Sequence, residues 1–283
     1  MSSQKRAAVI EDLTGFGKCS LTVALPLLSA AGIEACPLPT AVLSTHTGGL
    51  DGFTYRDLTD DLYAFGSHWH SLGIHFDAIY TGFLGSPQQI RVVSSLIGLL
   101  KSQDTLVVVD PCMADNGKLY RVFTPEMAKK MGTLCRGADV SVPNITEACM
   151  LLGQEYRPGP YHPQWIEGLL HGLQAQGSKN VVLTGVYWEE GRLGAACCDR
   201  QGRIQYVFTP KVNGHFHGTG DIFASVLTSA LLNGCPLPES AQIAADFTYD
   251  AVLRTSRAGT DPRYGVHFEE GIPKLIRRLH LDP

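Results

Sequence analysis

Short apolar runs, rich in β-branched residues and bounded by turn signals, recur along the chain and predict buried strands. These runs are 7–10, 76–80, 105–109, 139–142 and 180–184. Longer stretches with helical spacing lie between them, among them 20–31, 88–101 and 163–176. The alternation predicts an α/β fold with a mostly parallel central sheet flanked by helices. Because 106–109 is apolar throughout, we expect it near the centre of the sheet.

Nothing in the sequence divides the chain into separate units. We find no internal repeat, low-complexity tract or shift in composition. The segment 153–163 is rich in proline and glycine and predicts a loop, but it is too short for a linker. We therefore expect one domain over residues 1–283.

Composition narrows the classes of function. Of the 283 residues, 44% are hydrophobic and 18% are charged, which is typical of a folded globular protein. The net charge of -4 and the lack of a long Lys/Arg run argue against nucleic-acid or membrane-surface binding and favour small-molecule chemistry. There is no signal-peptide core and no apolar run long enough to span a bilayer, so we expect a cytoplasmic protein.

Polar side chains follow each predicted strand. They are Glu11, Asp12, Thr81, Asp110, Asn144, Glu147 and Thr184. Each of them alone is compatible with a helix cap or a turn. In open α/β sheets, however, ligands bind beyond the carboxyl ends of the strands, and this is where these residues would meet. Their joint placement predicts a site at that edge of the sheet.

The segment 218–221, "GTGD", leads into a predicted helix with an apolar face that starts at Ile222. A helix N-terminus is a natural anion site, because its first N–H groups lack acceptors and its dipole is positive there. Asp221 has two interpretations. It is either a helix cap, or a general base beside amides that hold a transferring phosphoryl group.

Three other kinds of site fit the sequence poorly. A dinucleotide-binding loop is excluded because Phe223 stands where the third glycine should be, and a Walker loop lacks its Gly-Lys-Ser/Thr. The glycine-rich turn at 15–20 also fails, since Asp12 replaces the first Walker glycine. The pairs His68/His70 and His215/His217 would each share one side of a strand, but no third metal ligand is evident. We expect these histidines in loops or in a nucleotide pocket.

Five segments together resemble the vitamin B6 kinase branch of the ribokinase superfamily, the pyridoxal kinases. They are "LSTHTGG" (43–49), "TGFLGS" (81–86), "DPCMADNGKLY" (110–120), "PNITEACMLLG" (143–153) and "GTGD" (218–221). They occur in family order, and the resemblance covers about 11–253. It implies a three-layer α/β/α ribokinase-like fold. It also implies ATP-dependent phosphorylation of the 5′-hydroxymethyl group of pyridoxal, pyridoxine or pyridoxamine.

The resemblance also implies roles for individual residues. Asp221 would be the catalytic base, and the amides of Gly218, Thr219 and Gly220 would neutralise charge on the γ-phosphoryl group. Glu147, with Asp110, would hold Mg²⁺ through water. The implied nucleotide-binding residues are Asp110, Asp115, Asn144, Thr184 and His217. The family further implies a homodimer, and it leaves open a monovalent cation such as K⁺.

The implied ring pocket departs from the family pattern. It comprises Asp12, Leu43, Thr47 and Phe83, and many members have serine in place of Asp12. An aspartate there could accept a hydrogen bond from the ring's hydroxyl or nitrogen, or pair with the amine of pyridoxamine. Two alternatives stay open: a hydroxymethylpyrimidine kinase of thiamine synthesis, and a non-catalytic binding homologue. The "GKLY" and "HTG" runs favour the B6 branch, and retention of Asp221 and Glu147 argues against loss of catalysis.

Overall fold

The computed structural model describes residues 4–281, which form strands and helices in alternation. The strands are β1 (Arg6–Phe16), β2 (Glu34–Thr45), β3 (Tyr55–Asp57), β4 (Ala78–Thr81), β5 (Leu106–Val109), β6 (Ala114–Asp115), β7 (Lys118–Leu119), β8 (Val140–Ser141), β9 (Asn180–Val186), β10 (Arg192–Cys198) and β11 (Ile204–Pro210). The helices are α1 (Leu21–Ala30), α2 (Thr59–Ser71), α3 (Pro87–Leu100), α4 (Pro125–Gly137), α5 (Ile145–Leu152), α6 (Pro163–Ala175), α7 (Thr219–Leu232), α8 (Leu237–Ala258) and α9 (Ile272–Arg278).

One large sheet forms the middle layer, in the order β11-β10-β9-β8-β5-β4-β1-β2-β3. Neighbouring strands from β9 through to β2 are parallel, whereas β3, β10 and β11 pair antiparallel. Helices α1, α7 and α8 cover one face, and α2, α3 and α4 cover the other. The predicted mostly parallel sheet, its three layers and the central place of β5 are therefore confirmed.

The five predicted strands are confirmed with shifted ends, and of the six described strands that were not predicted the longest is β2. Its sequence contains Pro37 and Pro39, which normally argue against a strand because proline cannot donate to the sheet. The antiparallel neighbour β3 pairs only with residues 41–43 of β2. The two prolines consequently lie where β2 has a single neighbour, so their missing N–H groups cost no pairing.

Strand β1 runs farther than the sequence predicted. It continues through Asp12 to Phe16, and its register with β2 shifts between Glu11 and Leu13. Beyond this irregularity, β1 and β2 extend out of the sheet and form a wall of the cavity described below. The glycine-rich turn is therefore shorter than expected, with positive φ at Gly17, Lys18 and Ser20.

The histidine pair His68/His70 lies on α2, so the expectation of a loop or nucleotide pocket is wrong for it. Residues two apart on a helix point in nearly opposite directions, so this pair cannot share a metal. Throughout residues 4–281, no group of three or more His, Cys, Asp or Glu is arranged to hold a metal ion. None of the helices in that range is long and apolar enough to cross a membrane.

Candidate active site

A cavity of about 810 Å³ opens at the carboxyl ends of the parallel strands. All of the site residues that the sequence suggested line it: Asp12, Leu43, Thr47, Phe83, Asp110, Asp115, Asn144, Glu147, Thr184, His217, Gly218, Thr219, Gly220 and Asp221. Glu11 and Thr81, which also follow predicted strands, are buried and do not line the cavity. The fold thus brings residues from distant segments to one place, while their roles stay predictions.

The start of α7 contains two glycines with different surroundings. Gly218 is the N-cap in the left-handed region (φ 76°), and a Cβ there would collide with the carbonyl oxygen of Lys18. Gly220 is different, because a Cβ there would meet no atom within 4 Å. The packing of the protein therefore requires glycine at 218 but not at 220. An open approach to the main chain at 220 is what a bound anion needs.

Asp221 is the third residue of α7, so its interpretation as a helix cap is wrong. The side chain is 8% exposed and faces the cavity. Burial raises the pKa of its carboxyl to about 7, the backbone N–H of Ser20 opposes this rise, and the charge of Asp12 adds to it. A carboxylate that titrates near neutral pH is suited to accept a proton during catalysis.

Asp221 belongs to a group of buried carboxyls with Asp12, Asp110 and Glu147. None of these four forms an ion pair with Lys or Arg in residues 4–281. Burial, then the charge of Glu147, raises the pKa of Asp110 well above its usual value. The four carboxyls are not arranged as a direct metal-binding group, but their uncompensated acidity suits a divalent cation that takes most of its ligands from water and phosphate.

The contacts of Glu147 indicate how it would serve such a cation. Its Oε1 accepts the N–H groups of Met113 at 2.8 Å and Ala114 at 3.3 Å. Its Oε2 accepts the N–H of Asn144 at 2.9 Å. Both oxygens are thus engaged by main-chain donors, which favours contact with Mg²⁺ through water over direct ligation. The donor set fits a magnesium ion that keeps water and phosphate oxygens as its other ligands.

Asn144 and a small hairpin form the opposite wall of the cavity. The Asn144 side chain caps α5 by accepting the N–H of Glu147 at 3.0 Å, and its Nδ2 donates to the Ala114 carbonyl at 2.7 Å. The hairpin β6–β7 turns at Asn116-Gly117, a dipeptide typical of tight hairpins. Asp115 lies on this hairpin. The Asn-Gly signal could have predicted the hairpin, and sequence reasoning missed it.

Thr184 lies beside Asn144, to which it forms a parallel bridge in the sheet. Its N–H donates to the Pro143 carbonyl at 2.9 Å. Thr184, Asn144 and Asp115 therefore line the same side of the cavity.

A pair of stacked histidines closes another side. The rings of His46 and His217 are 4.8 Å apart and nearly parallel. His46 Nε2 lies 2.6 Å from the Arg263 carbonyl, and its Nδ1 accepts the N–H of Gly48, which fixes the proton on Nε2. Burial lowers the pKa of His217 to about 4, so its ring is neutral near pH 7. Sequence reasoning missed His46, although it lies inside the "THTGG" segment.

Asp12, Leu43, Thr47 and Phe83 form the part of the cavity that faces the β1–β2 extension. Asp12 Oδ2 accepts from the hydroxyl of Thr14 at 2.7 Å, and its Oδ1 accepts from that of Ser20 at 2.6 Å. The Phe83 ring packs edge-on against Phe123. The result is a pocket with apolar walls and one acidic group, which suits a polar aromatic ring.

Comparisons with known proteins identify the family of the chain. A family model described as phosphomethylpyrimidine kinase matches residues 26–265. A crystal structure from Bacteroides thetaiotaomicron, named as a phosphomethylpyrimidine kinase and determined with pyridoxal, is 39% identical. Its superposition on this chain has a TM-score of 0.92 and covers 96% of each chain. Pyridoxal kinase from Lactobacillus plantarum is 33% identical, with a TM-score of 0.89 and coverage of 97% of this chain and 98% of that one.

Curated proteins point the same way. The pyridoxine/pyridoxal/pyridoxamine kinase of Bordetella bronchiseptica is 28% identical over 262 residues, which is 88% of this chain and 89% of that protein. Family model, curated relative and solved structures thus converge on one group of enzymes. The chain belongs to the phosphomethylpyrimidine kinase family, and it is a kinase whose sequence and fold are of the pyridoxal kinase type.

Proposed function

We propose that the protein transfers the γ-phosphoryl group of ATP to the 5′-hydroxymethyl group of a B6 vitamer: pyridoxal, pyridoxine or pyridoxamine. The observation that carries this proposal is the buried Asp221 at the N-terminus of α7, which faces a cavity with a ring pocket. The related Bacteroides structure with pyridoxal supports the choice of ring.

Asp221 acts as the general base. Its carboxylate takes the proton of the 5′-hydroxyl, the hydroxyl oxygen bonds to the γ-phosphorus, and the bond from that phosphorus to the β-phosphate oxygen breaks to release ADP. The amides of Gly218, Thr219 and Gly220 stabilise the negative charge on the transferring group. The open space at Gly220 supports this role, since a phosphoryl oxygen can approach the main chain there.

Asp110 and Glu147 hold Mg²⁺, Glu147 through water. The ion supplies positive charge to the phosphates when it is bound. Asn144, Thr184, Asp115 and His217 contact the nucleotide. The neutral ring of His217 contacts the nucleotide without adding a charge. The hairpin that carries Asp115 excludes water from the phosphates.

Asp12 is the specificity residue of the ring pocket. Each of its oxygens already accepts one hydroxyl, and each retains a lone pair for the substrate. The serine that is common at this position in the family would not supply a charged acceptor. Asp12 therefore binds a polar substituent or nitrogen of the pyridine ring.

A substrate panel tests the proposed function. Pyridoxal, pyridoxine, pyridoxamine and hydroxymethylpyrimidine are incubated separately with ATP and Mg²⁺, and products are identified by mass spectrometry. We expect 5′-phosphates of one or more B6 vitamers together with ADP. Turnover of the pyrimidine alone would assign the enzyme to thiamine synthesis, and no turnover of any compound would favour a binding protein.

A further inference from the structure

Three buried polar side chains lie together on the side of Asp221 that faces the sheet. We call Glu11, Tyr80 and Ser225 the Glu11 cluster. Each residue is fully buried. Both carboxyl oxygens of Glu11 and the hydroxyls of Tyr80 and Ser225 form no hydrogen bond of normal geometry within the described residues, although the Tyr80 hydroxyl lies close to both Glu11 and Ser225. Buried polar atoms are nearly always paired in folded proteins, so four unpaired oxygens in one place need an explanation.

The sheet register brings the cluster together. Val9 of β1 lies opposite Tyr80 of β4 in the parallel pairing. Glu11, two residues after Val9, therefore points to the same face of the sheet as Tyr80. Helix α7 packs on that face. The Glu11 carboxyl also lies against the main chain just after β4, because a Cβ at Gly82 would come within 2.9 Å of its Cδ and Oε1.

The cluster is adjacent to Asp221. Ser225 follows Asp221 by four residues, so the two side chains share one face of α7. The charge of Asp221 is the largest electrostatic influence on Glu11, ahead of Asp110 and Asp12. None of the three cluster residues lines the cavity. A substrate therefore cannot touch them, and any effect on catalysis has to pass through Asp221.

The charges around Glu11 decide what the cluster can bind. Burial, followed by the charge of Asp221, raises the pKa of the Glu11 carboxyl well above its usual value. A raised pKa favours the protonated carboxyl, which can both donate and accept hydrogen bonds. The hydroxyls of Tyr80 and Ser225 have the same dual capacity. Such a set suits an ordered water with about three hydrogen bonds better than an ion.

We propose that the Glu11 cluster holds an ordered water against the first turns of α7, and that the hydrated cluster positions Asp221 for phosphoryl transfer. The inference rests on the proposed role of Asp221 as the base. Glu11 is a positioning residue in this account. It keeps the Asp221 carboxylate aligned with the substrate hydroxyl, and it contributes shape and hydrogen bonds rather than charge.

Kinetics of matched variants test the proposal in the full-length enzyme. Glu11→Gln keeps the shape and a neutral hydrogen-bonding group, and we expect its kcat within about twofold of wild type. Glu11→Leu removes the hydrogen bonds, and we expect a kcat loss of up to about 10²-fold with unchanged KM for ATP and pyridoxal. Ser225→Ala, which removes one oxygen, should lower kcat in the same direction. If Glu11→Leu does not fold, Ser225→Ala still tests the proposal.

Thr81→Val is the matched control. The Thr81 hydroxyl is also buried without a hydrogen-bond partner in the described part of the chain, but Thr81 pairs with Ile10 in the sheet, so it points to the opposite face. Its removal should leave kcat unchanged. The Asp221→Asn background supplies a second control, because Glu11→Leu should cause no further loss of kcat once the base is gone.

The outcomes separate this inference from the proposed function. If wild type phosphorylates pyridoxal and Asp221→Asn does not, the function stands whatever the cluster does. The inference is then overturned if folded Ser225→Ala and Glu11→Leu keep the wild-type kcat, or if Glu11→Gln is as damaging as Glu11→Leu. It is also overturned if Glu11→Leu lowers kcat equally with and without Asp221.

Discussion

Ser20 Oγ lies 2.6 Å from Oδ1 of Asp12, and the main-chain N–H of Ser20 faces the carboxylate of Asp221. One residue of a strained turn thus contacts both the acidic group of the ring pocket and the candidate base. Ser20 adopts φ 49°, which is uncommon for a residue other than glycine. The turn at 17–20 therefore fixes the position of the Asp12 carboxyl relative to that of Asp221.

The first prediction concerns substrate preference. Asp12→Ser should change the relative kcat/KM for pyridoxal, pyridoxine and pyridoxamine by about tenfold, because a charged acceptor contributes about 1.5–3 kcal/mol to a hydrogen bond. Steady-state kinetics with each vitamer measure this change. Asp12→Asn is the matched variant, since it removes the charge at constant shape. An equal fall for all three vitamers in both variants would refute the assignment of Asp12.

The second prediction follows from the Asp221 pKa of about 7. Only the ionised carboxylate can accept a proton, so log kcat/KM should rise with pH below about 7 and level off above it. A pH profile of kcat/KM for the wild-type enzyme measures this rise. A profile that stays flat from pH 5.5 to 8 would show that another group is the base.

The same pKa has a consequence for stability. In the unfolded chain the Asp221 carboxyl ionises near its ordinary pKa of about 4, while in the folded chain it ionises near 7. The folded state thus loses stability as pH rises through this interval, because it must ionise a buried acid. Asp221→Asn removes that cost, and we expect it to be more stable than wild type at pH 8 in urea unfolding. Equal stability at pH 8 would contradict a raised pKa.

The third prediction separates binding from folding at Gly220. A Cβ at this position meets no protein atom, and alanine favours a helix over glycine by about 1 kcal/mol. Gly220→Ala should therefore keep or raise the midpoint of thermal unfolding, while the added methyl group obstructs the phosphoryl group and lowers kcat by about tenfold or more.

Gly168→Ala is the matched control for Gly220. Gly168 lies on α6, a Cβ there also meets nothing within 4 Å, and it does not line the cavity. It should show the same effect on stability and none on kcat. A Gly220→Ala enzyme with wild-type kcat would remove the support for an anion hole at this turn.

The fourth prediction concerns Glu147, which accepts three main-chain N–H groups. Glu147→Gln places an amide donor against those donors, and we expect a loss of about 1–3 kcal/mol in the free energy of unfolding. The Mg²⁺ concentration for half-maximal activity should also rise. Glu155→Gln is the control, because this exposed glutamate forms no side-chain hydrogen bond or ion pair within the described residues, and it should change stability by less than about 0.5 kcal/mol. Unchanged Mg²⁺ dependence in folded Glu147→Gln would exclude Glu147 from metal binding.

Local patterns in the sequence were enough to predict the central strands and the helix after "GTGD". The strand β5 is apolar throughout because helices cover both faces of the sheet there. Gly218 and Asp221 are close in the chain, so their juxtaposition depends only on one helix start. Such features need no knowledge of long-range pairing.

Features that depend on register or on distant contacts were not predictable in this way. Strand β2 carries two prolines, which fit because they lie where β2 pairs with β1 alone. Ser20 makes its contacts because the turn around it has positive φ values, and no sequence pattern predicted these values. The sequence places Glu11 at the end of a strand. Its proximity to Tyr80 and Ser225 could not be predicted, because it depends on the pairing of β1 with β4 and on the packing of α7.

The most direct test of the account is the rate of pyridoxal phosphorylation at pH 8 in wild type and in Asp221→Asn, with saturating ATP and Mg²⁺. We predict that wild type forms pyridoxal 5′-phosphate. The variant should stay folded and bind ATP normally, but its kcat should fall by about 10²- to 10⁴-fold. A folded Asp221→Asn enzyme with wild-type kcat, or a wild type that forms no phosphorylated vitamer, would contradict the account.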